Sequence, residues 1–480
     1  MISGPLANSK FKWLMLPIET KVRELDGKLL LAATAADRGW AVILGHKDSL
    51  AADTAGIRGV VLEKDGHIAN KRIQSYLATG KLVCALDEEG LVYLNSEDYY
   101  RRRLSEGSLQ RLALFCLWGA NQRRDILEHV HGIESRLVLT GNPRFDLLRP
   151  GLRDYYAPEA RRLRDRFGPF LLVNTNFADS NHFMGTEWVI ENHRRSGFIT
   201  NGQQEADERA FIAYQAGILE RFIEMARQLS LRYPSHRVVV RPHPSEDHER
   251  WLAVARALKN MQVIHEGDVN PWLLAADLAI HNSCMTGIHG FLLKTPTIAH
   301  MPVKSDRFDL YLPNVLSTQT ETLDDLFSAV NRALSGSNLS DPDHRSAQMA
   351  TAERFITAID GPLASERIME ALESLVVEPD TYKAGGQLAG ERQVGPIGKV
   401  ARRIAGGPRQ TLTSMSERRH RAYSRQKYPG MNLVEIEAKI SALRGASARI
   451  SPLQVWQHGE QSFCIVSPLA AGQSADQGQT

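Results

Sequence analysis

Cysteine is scarce in this sequence. Cys84, Cys116, Cys284 and Cys464 are the only four in 480 residues, and no two form a CxxC pair. That excludes a disulfide scaffold and a cysteine-based zinc set, and it fits a reducing compartment. No apolar run approaches the roughly 18 residues that read as a membrane-spanning helix. Charge of one sign is not in excess either: 58 Lys and Arg against 55 Asp and Glu leave a net charge of +3. No nucleic-acid partner is expected from that balance. Met1 to Lys12 lacks the basic-then-apolar pattern of a signal peptide, so a cytoplasmic location is expected. P-loop, GxGxxG, HExxH and GxSxG motifs are all missing. Their absence weakens kinase, dehydrogenase, zinc-protease and serine-hydrolase readings. What is present is globular: 43% hydrophobic and 24% charged residues. The chain is too long for one core, and its length suggests two to three domains.

The organisation is a repeated alternation of strand and helix. Lys12 to Ile18, Ala41 to Gly45, Gly59 to Leu62 and Leu82 to Leu86 read as buried strands. Between the first two, Leu25, Leu29, Leu30, Ala33 and Ala36 recur at helical spacing, and Gly39 stops the helix. The series continues through Leu112 to Trp118 and Arg136 to Leu139. The turn-rich motif Thr140-Gly-Asn-Pro-Arg-Phe-Asp146 and a charged helical stretch, Arg149 to Arg166, then read as a domain connection. A second series starts at Pro169 to Asn174, with an amphipathic helix at Ala206 to Tyr233. Strands follow at Arg237 to Arg241, Met261 to His265, Leu278 to His281 and Thr295 to Ala299. The expected fold class is α/β, with two Rossmann-like doubly wound domains. The boundaries expected are 1–150 for the first domain, 165–375 for the second and 376–480 for a basic, partly irregular extension. Within that extension Leu433 to Arg444 reads as a short helix. Lys399 to Lys427 holds nine Lys and Arg and one acid. This stretch is a candidate for peripheral contact with anionic lipid on the inner face of the membrane.

Chemistry-bearing residues concentrate just past strand ends, where open α/β sheets bind ligands. Arg241-Pro-His-Pro244 presents His243 rigidly between two prolines, suited to a phosphate oxygen or ribose hydroxyl. Asn282, Ser283, Thr286 and Gly287 sit where a strand turns into a helix whose N-terminus favours phosphate. Asp87-Glu88-Glu89-Gly90 follows a strand of the first domain, and one of its carboxylates is a candidate base or nucleophile. Glu19 and Arg23 lie at helical i, i+4 spacing after the first strand, which suggests a surface ion pair or a place at the cleft edge. Asn174 and Asn176, in the first loop of the second domain, suit sugar or phosphate recognition. No metal-ligand cluster is visible, so no metal is expected.

These motifs together resemble GT-B glycosyltransferases. Glu88-Glu89-Gly90 with His243-Pro244 is similar to the paired acidic and His-Pro motifs of bacterial sialyltransferases that use CMP-sugars. CMP-Kdo transferases of capsule and lipopolysaccharide assembly carry a comparable His-Pro loop. The run LPIETKVRELDGKLLLAATAADRGWAVILG looks like the surface carbohydrate biosynthesis protein family, a resemblance covering roughly residues 12 to 375. It implies a GT-B-like fold and transfer of a Kdo- or nonulosonate-type sugar from a CMP-linked donor to a glycan or glycolipid acceptor, with no other cofactor. By that resemblance Arg241, His243, Pro244, Asn282, Ser283, Thr286 and Gly287 would hold the nucleotide. Asn174, Asn176 and Arg23 would meet the donor sugar or phosphate. An acid among Asp87, Glu88 and Glu89, with Glu88 slightly preferred and Glu19 in reserve, would be catalytic. A non-hydrolysing UDP-GlcNAc 2-epimerase, a transferase using a CDP-linked polyol, and a non-catalytic assembly protein stay as alternatives.

Overall fold

A computed structural model describes residues 10–67, 71–381 and 427–468. The alternating pattern builds two sheets. In the first, β1 (Lys10–Ile18), β2 (Trp40–His46), β3 (Val60–Glu63), β4 (Leu82–Leu86), β5 (Phe115–Leu117) and β6 (Leu137–Leu139) run parallel in the order β2-β1-β3-β4-β5-β6. In the second, β7 (Phe170–Asn174), β8 (Arg237–Arg241), β9 (Met261–Val263), β10 (Leu278–His281), β11 (Thr297–His300) and β12 (Thr318–Thr320) run in the order β12-β11-β10-β7-β8-β9. Both are doubly wound: the strand order reverses beside β1 in one and beside β7 in the other, and ligands bind at such switch points. The α/β expectation of two Rossmann-like domains is met. The central strands are apolar on both faces, the pattern expected where helices cover both faces of a sheet. Trp13, Leu14, Met15 and Leu16 of β1 are all fully buried.

The end of the chain returns to the first sheet. The short β13 (Asp380–Thr381) pairs antiparallel with the start of β1. β14 (Gln454–Gly459) and β15 (Ser462–Val466) form a hairpin whose β15 pairs antiparallel with β2, so the first sheet has nine strands. The helix Leu433–Ala446 packs on the helix Lys21–Asp37, where Lys21 Nζ donates to Gly430 O and Glu435 Oε2, each at 2.6 Å. The basic stretch expected at the membrane lies outside the described residues, apart from its last residue, Lys427. Among the described residues no helix is long and apolar enough to cross a membrane.

One apolar cluster runs through both sheets. Phe145, Leu152, Tyr156 and Phe167 carry it from the first sheet to Phe170 of the second sheet and to Trp272 on the helix Val269–Ala275. This seam fixes how the two carboxyl edges face each other. The hairpin adds Phe463 and Ile465 to the same cluster, both fully buried. Phe463→Ala is expected to cost about 3–5 kcal/mol of stability, the usual range for emptying a buried phenylalanine site. Denaturant unfolding of the full chain checks this, and an unchanged midpoint would separate the hairpin from the core.

Candidate functional site

The carboxyl edges of the two sheets enclose a cleft of about 460 Å³. Its first-domain wall starts from the helix Lys21–Asp37. Glu24 is fully buried there and accepts from the Glu19 and Thr20 amides at 3.0 Å each, so it closes the helix start that Thr20 leaves uncapped. Burial alone would raise its carboxyl, but Lys28 and Arg23 outweigh burial and hold it at about 2. The spacing of Glu19 and Arg23 suggested a pair, and the structure separates them. Glu19 is bound by Lys47 at 2.7 Å and Lys64 at 2.5 Å, and it does not line the cleft. Arg23 does line it and bridges Glu89 at 3.1 Å and Glu24 at 3.2 Å.

The three consecutive acids after β4 have three different surroundings. Asp87 is fully buried, with Arg103 gripping both carboxylate oxygens at 2.5 and 3.3 Å. Its carbonyl accepts from the Trp118 indole at 2.7 Å. Asp87 therefore points into the domain and does not reach the cleft, contrary to its place among the catalytic candidates. Glu88 lines the cleft but is recessed, only 4% exposed. Its carboxylate meets Asn142 Nδ2 at 3.2 Å, Arg144 Nε at 3.3 Å and Lys28 Nζ at 3.7 Å. Glu89 projects into the cleft with its side chain 51% exposed. Partial burial would raise its carboxyl, but Arg23 and Arg103 pull harder and hold it at about 2.

The second-domain wall follows from strand register. Asn174, at the end of β7, stands opposite Arg241 of β8 and His281 of β10. Asn174 lines the cleft and donates to Thr286 Oγ1 at 3.0 Å, which leaves the threonine O–H as a donor. After β10, Ser283 takes a left-handed φ of 45°. That turn brings Cys284, Met285 and Thr286 to the cleft at the start of the helix Thr286–Leu293. Ser283 itself turns away and bonds Asn314 at 3.0 Å. Asn282 is also absent from the lining: its Oδ1 accepts from the Asn176 amide at 2.8 Å and so fixes the neighbouring loop. Gly287 serves packing, since a Cβ there would lie 2.5 Å from Pro313 O and 2.6 Å from His281 Nε2. These three were expected at the nucleotide; of the four residues expected there, Thr286 alone lines the cleft.

The His-Pro loop faces the cleft through Pro242, His243 and Pro244. Glu246 organises it, a role that the sequence reading missed. Its buried carboxylate accepts from the His243 amide at 2.9 Å, Thr175 Oγ1 at 2.7 Å and the Trp251 indole at 3.1 Å. Burial and nearby His265 lower His243 to about 3. The ring is neutral, and its Nδ1 accepts from the Ser245 amide at 3.2 Å, so the proton sits on Nε2. Arg241 lines the cleft, yet its guanidinium is spent on Glu266 O at 2.6 Å and Gly267 O at 3.2 Å, lying 4.8 Å from the Trp272 ring centre. It holds the next loop rather than offering a free cation.

Sequence reasoning also missed Arg144, His265, Asp268 and His289, all cleft residues. Arg144 and Asn142 lay inside the 140–146 motif, which was read only as a junction. Burial and the facing Asp26 carboxylate push Asp268 up to about 6. Among the described residues no cluster of three or more His, Cys, Asp or Glu could hold a metal ion.

No family model and no curated protein matches the chain. Among solved structures, the chain is similar to a UDP-GlcNAc 2-epimerase from Neisseria meningitidis at 12% identity, with 76% of this chain and 100% of that one covered and a TM-score of 0.46. A UDP-GlcNAc 2-epimerase from Methanocaldococcus jannaschii matches at 13% identity, 76% and 100% coverage and a TM-score of 0.44. The wall teichoic acid polymerase TagF matches at 10% identity, 76% and 88% coverage and a TM-score of 0.44. The fold of this chain rests on its own strand order, and its chemistry on the cleft.

Buried histidines give the second domain a pH signature. Burial lowers His281 to about 3, and burial with nearby Arg144 lowers His289 to about 3. Between these values and the unfolded value near 6.5 only the unfolded chain takes up the protons, so stability falls as pH falls below about 6.5. At pH 5.5 each residue should cost about 1.4 kcal/mol. Asp146 and Asp268, both raised to about 6, act oppositely. Each returns less than about 1 kcal/mol at that pH. The net expectation is a lower unfolding midpoint at pH 5.5 than at 7.5, with a smaller drop in His289→Gln; thermal unfolding at the two pH values checks both.

Proposed function

We propose that the protein is a glycosyltransferase of surface polysaccharide assembly that takes its sugar from a CMP-linked donor. One observation carries the reading: a neutral, donor-bearing wall of His243, Asn174 and Thr286 faces an ionised carboxylate, Glu89, across one cleft. The first turn of the helix Thr286–Leu293 offers its dipole and the Thr286 hydroxyl to one phosphate. His243 Nε2–H adds a neutral donor. A single anion site of this kind suits a nucleoside monophosphate leaving group, which is the feature that separates CMP-linked donors from diphosphate-linked ones.

Glu89 is assigned the chemistry in preference to Glu88. Glu88 is recessed and neutralises Arg144 and Lys28, whereas Glu89 reaches the open cleft. Glu89 is ionised at rest, as a base toward an acceptor hydroxyl or a nucleophile toward the anomeric carbon must be. Arg23 contacts Glu89 and lines the cleft, so an anionic donor competes for the same guanidinium. Drawing Arg23 to the donor raises the basicity of Glu89 when the substrate is in place.

A second reading, epimerisation of a nucleotide sugar, is favoured by Asp268, a cleft carboxyl near 6 facing Asp26. Such a group can exchange a proton with carbon near neutral pH. Incubating UDP-GlcNAc with the protein in deuterium oxide separates the readings, since epimerisation through proton exchange at carbon labels the sugar and glycosyl transfer does not.

CMP is expected to stabilise the full chain by about 2.7 kcal/mol at 100 times its dissociation constant. Thr286→Val and His243→Gln should each weaken CMP about tenfold, the usual cost of one lost hydrogen bond to a charged group. Glu89→Gln should leave CMP binding within about twofold and lower transfer from CMP-Kdo or CMP-N-acetylneuraminate by about 10²–10⁴-fold. Equal or tighter binding of UDP or CDP in calorimetry would overturn the CMP donor. Failure of all three nucleotides to bind would overturn the nucleotide-sugar reading.

A further inference from the structure

A second chamber of about 400 Å³ opens beside the first, and Glu89, Val92 and Leu310 line both. Its first-domain side is the segment that follows the acid motif, ending in the helix Ser96–Arg103. Its second-domain side is the start of the helix Gly202–Arg232 together with the loop at Arg307, Phe308 and Leu310. No residue of this chamber was singled out in the sequence except Glu89.

The chamber joins aromatic faces to charges that are already matched. Tyr93, Tyr99, Phe211 and Phe308 supply the rings. Phe308 is braced by Phe211 at 5.6 Å and Tyr214 at 5.4 Å between ring centres, so its position is set before any ligand arrives. Each arginine of the chamber has a carboxylate. Arg101 bonds Asp98 at 2.8 Å, and Arg102 bonds Asp98 at 2.7 Å and Glu208 at 2.6 Å. Arg103 is held by Asp87 at 2.5 Å, and Arg307 by Asp207 at 2.5 Å. No guanidinium is left over to neutralise an added anion. The lining carries five carboxylates, Glu89, Glu97, Asp98, Asp207 and Glu208, against the four guanidinium groups, so an added anion meets an excess of negative charge. Paired carboxylates and guanidinium groups still offer acceptors and donors to hydroxyl groups. Apolar ring faces with a few fixed polar groups are the usual make-up of a small-ligand site, and the C–H face of a sugar ring is an apolar surface that packs on an aromatic ring.

We infer that this second chamber holds the acceptor, and that the acceptor end is an uncharged sugar rather than a phosphate-bearing or carboxylate-bearing group. Glu89 lies at the junction of the two chambers, where an acceptor hydroxyl in one meets the anomeric carbon of a donor in the other. The inference rests on the transferase reading above.

Saturation-transfer NMR on the full chain tests it, using lactose, cellobiose and N-acetyllactosamine as neutral probes and sn-glycerol 3-phosphate as the anionic one. At least one neutral disaccharide should show transfer, and the signal should fall at least fivefold in Phe308→Ala and in Arg307→Ala. Glycerol 3-phosphate should show none. CMP binding to both variants, measured by calorimetry, should stay within twofold of the parent; a larger change would mean that the second chamber is not separate from the donor site and would count against the inference. Binding of glycerol 3-phosphate alone, no binding by any disaccharide, or disaccharide signals unchanged in both variants would each overturn it. The disaccharide signals are read with and without CMP. A failure of CMP to bind the parent protein therefore strikes the donor reading separately and leaves this result standing.

Discussion

Arg144 can lie on the floor of the cleft only because residue 27 has no side chain. A Cβ at Gly27 would stand 2.7 Å from the Arg144 amide nitrogen and 2.9 Å from its Cγ, closer than atoms pack. That approach seats the Thr140 to Asp146 turn on the helix Lys21–Asp37. Three further attachments start from the same turn. Arg144 reaches Glu88 at 3.3 Å and lies 5.4 Å from the centre of the Trp118 ring. Phe145 packs edge-on against Trp118 and against His289 of the second domain. Asp146 accepts from the Ala364 and Ser365 amides at 2.7 and 2.9 Å, which anchors the returning helix Ala364–Glu373. A buried guanidinium is tolerated only with a partner. Glu88 is thus committed to structure, and the more exposed Glu89 is left for chemistry.

The two walls of the cleft solve opposite electrostatic problems. The first-domain wall carries full charges and pairs them, so the buried Glu24 and the half-exposed Glu89 both stay ionised. The second-domain wall carries imidazoles that burial keeps neutral, with His243 near 3 and His265 near 4. Their hydrogen bonds then decide which nitrogen donates. His243 accepts at Nδ1 and presents Nε2–H, while His265 bonds Pro242 O through Nδ1 at 3.0 Å and presents an acceptor. A neutral wall with directed donors and acceptors reads polar atoms without attracting every anion. Direction comes from this wall, and charge comes from the other.

The architecture was legible because most strands are short apolar runs closed by a turn, a pattern that survives any detail of packing; the polar β12, Thr-Gln-Thr, was not legible. β4, β8 and β10 have the residue limits read from the sequence. The hairpin at the chain end was not legible. β14 and β15 are short segments that pair with each other, and β15 joins the first sheet through β2, some four hundred residues away in sequence. The placement of the His243 loop and the acid loop on facing sides of one cleft was also readable, since both follow strands of doubly wound sheets. Which side chain of each loop faces the cleft was not. Asp87, Glu88 and Glu89 are chemically alike, and only Arg103, Arg144 and the depth of each position tell them apart.

Arg241, Ser283 and Asp87 carried strong residue-type signals, and each instead holds another part of the fold. The reason is physical. A charged or polar group at the end of a buried strand is already out of water and must be satisfied by the protein itself. Arg241 therefore takes two carbonyls of the 266–267 loop, Asp87 takes Arg103, and Ser283 takes Asn314. The loops fixed in this way then present their neighbours: His243, Glu89 and Thr286. A motif at a strand end in this fold thus marks the place of a site more reliably than it names the group that works there. The working group lies two or three residues beyond the most conspicuous one, where the chain has left the sheet and a side chain can face the cleft.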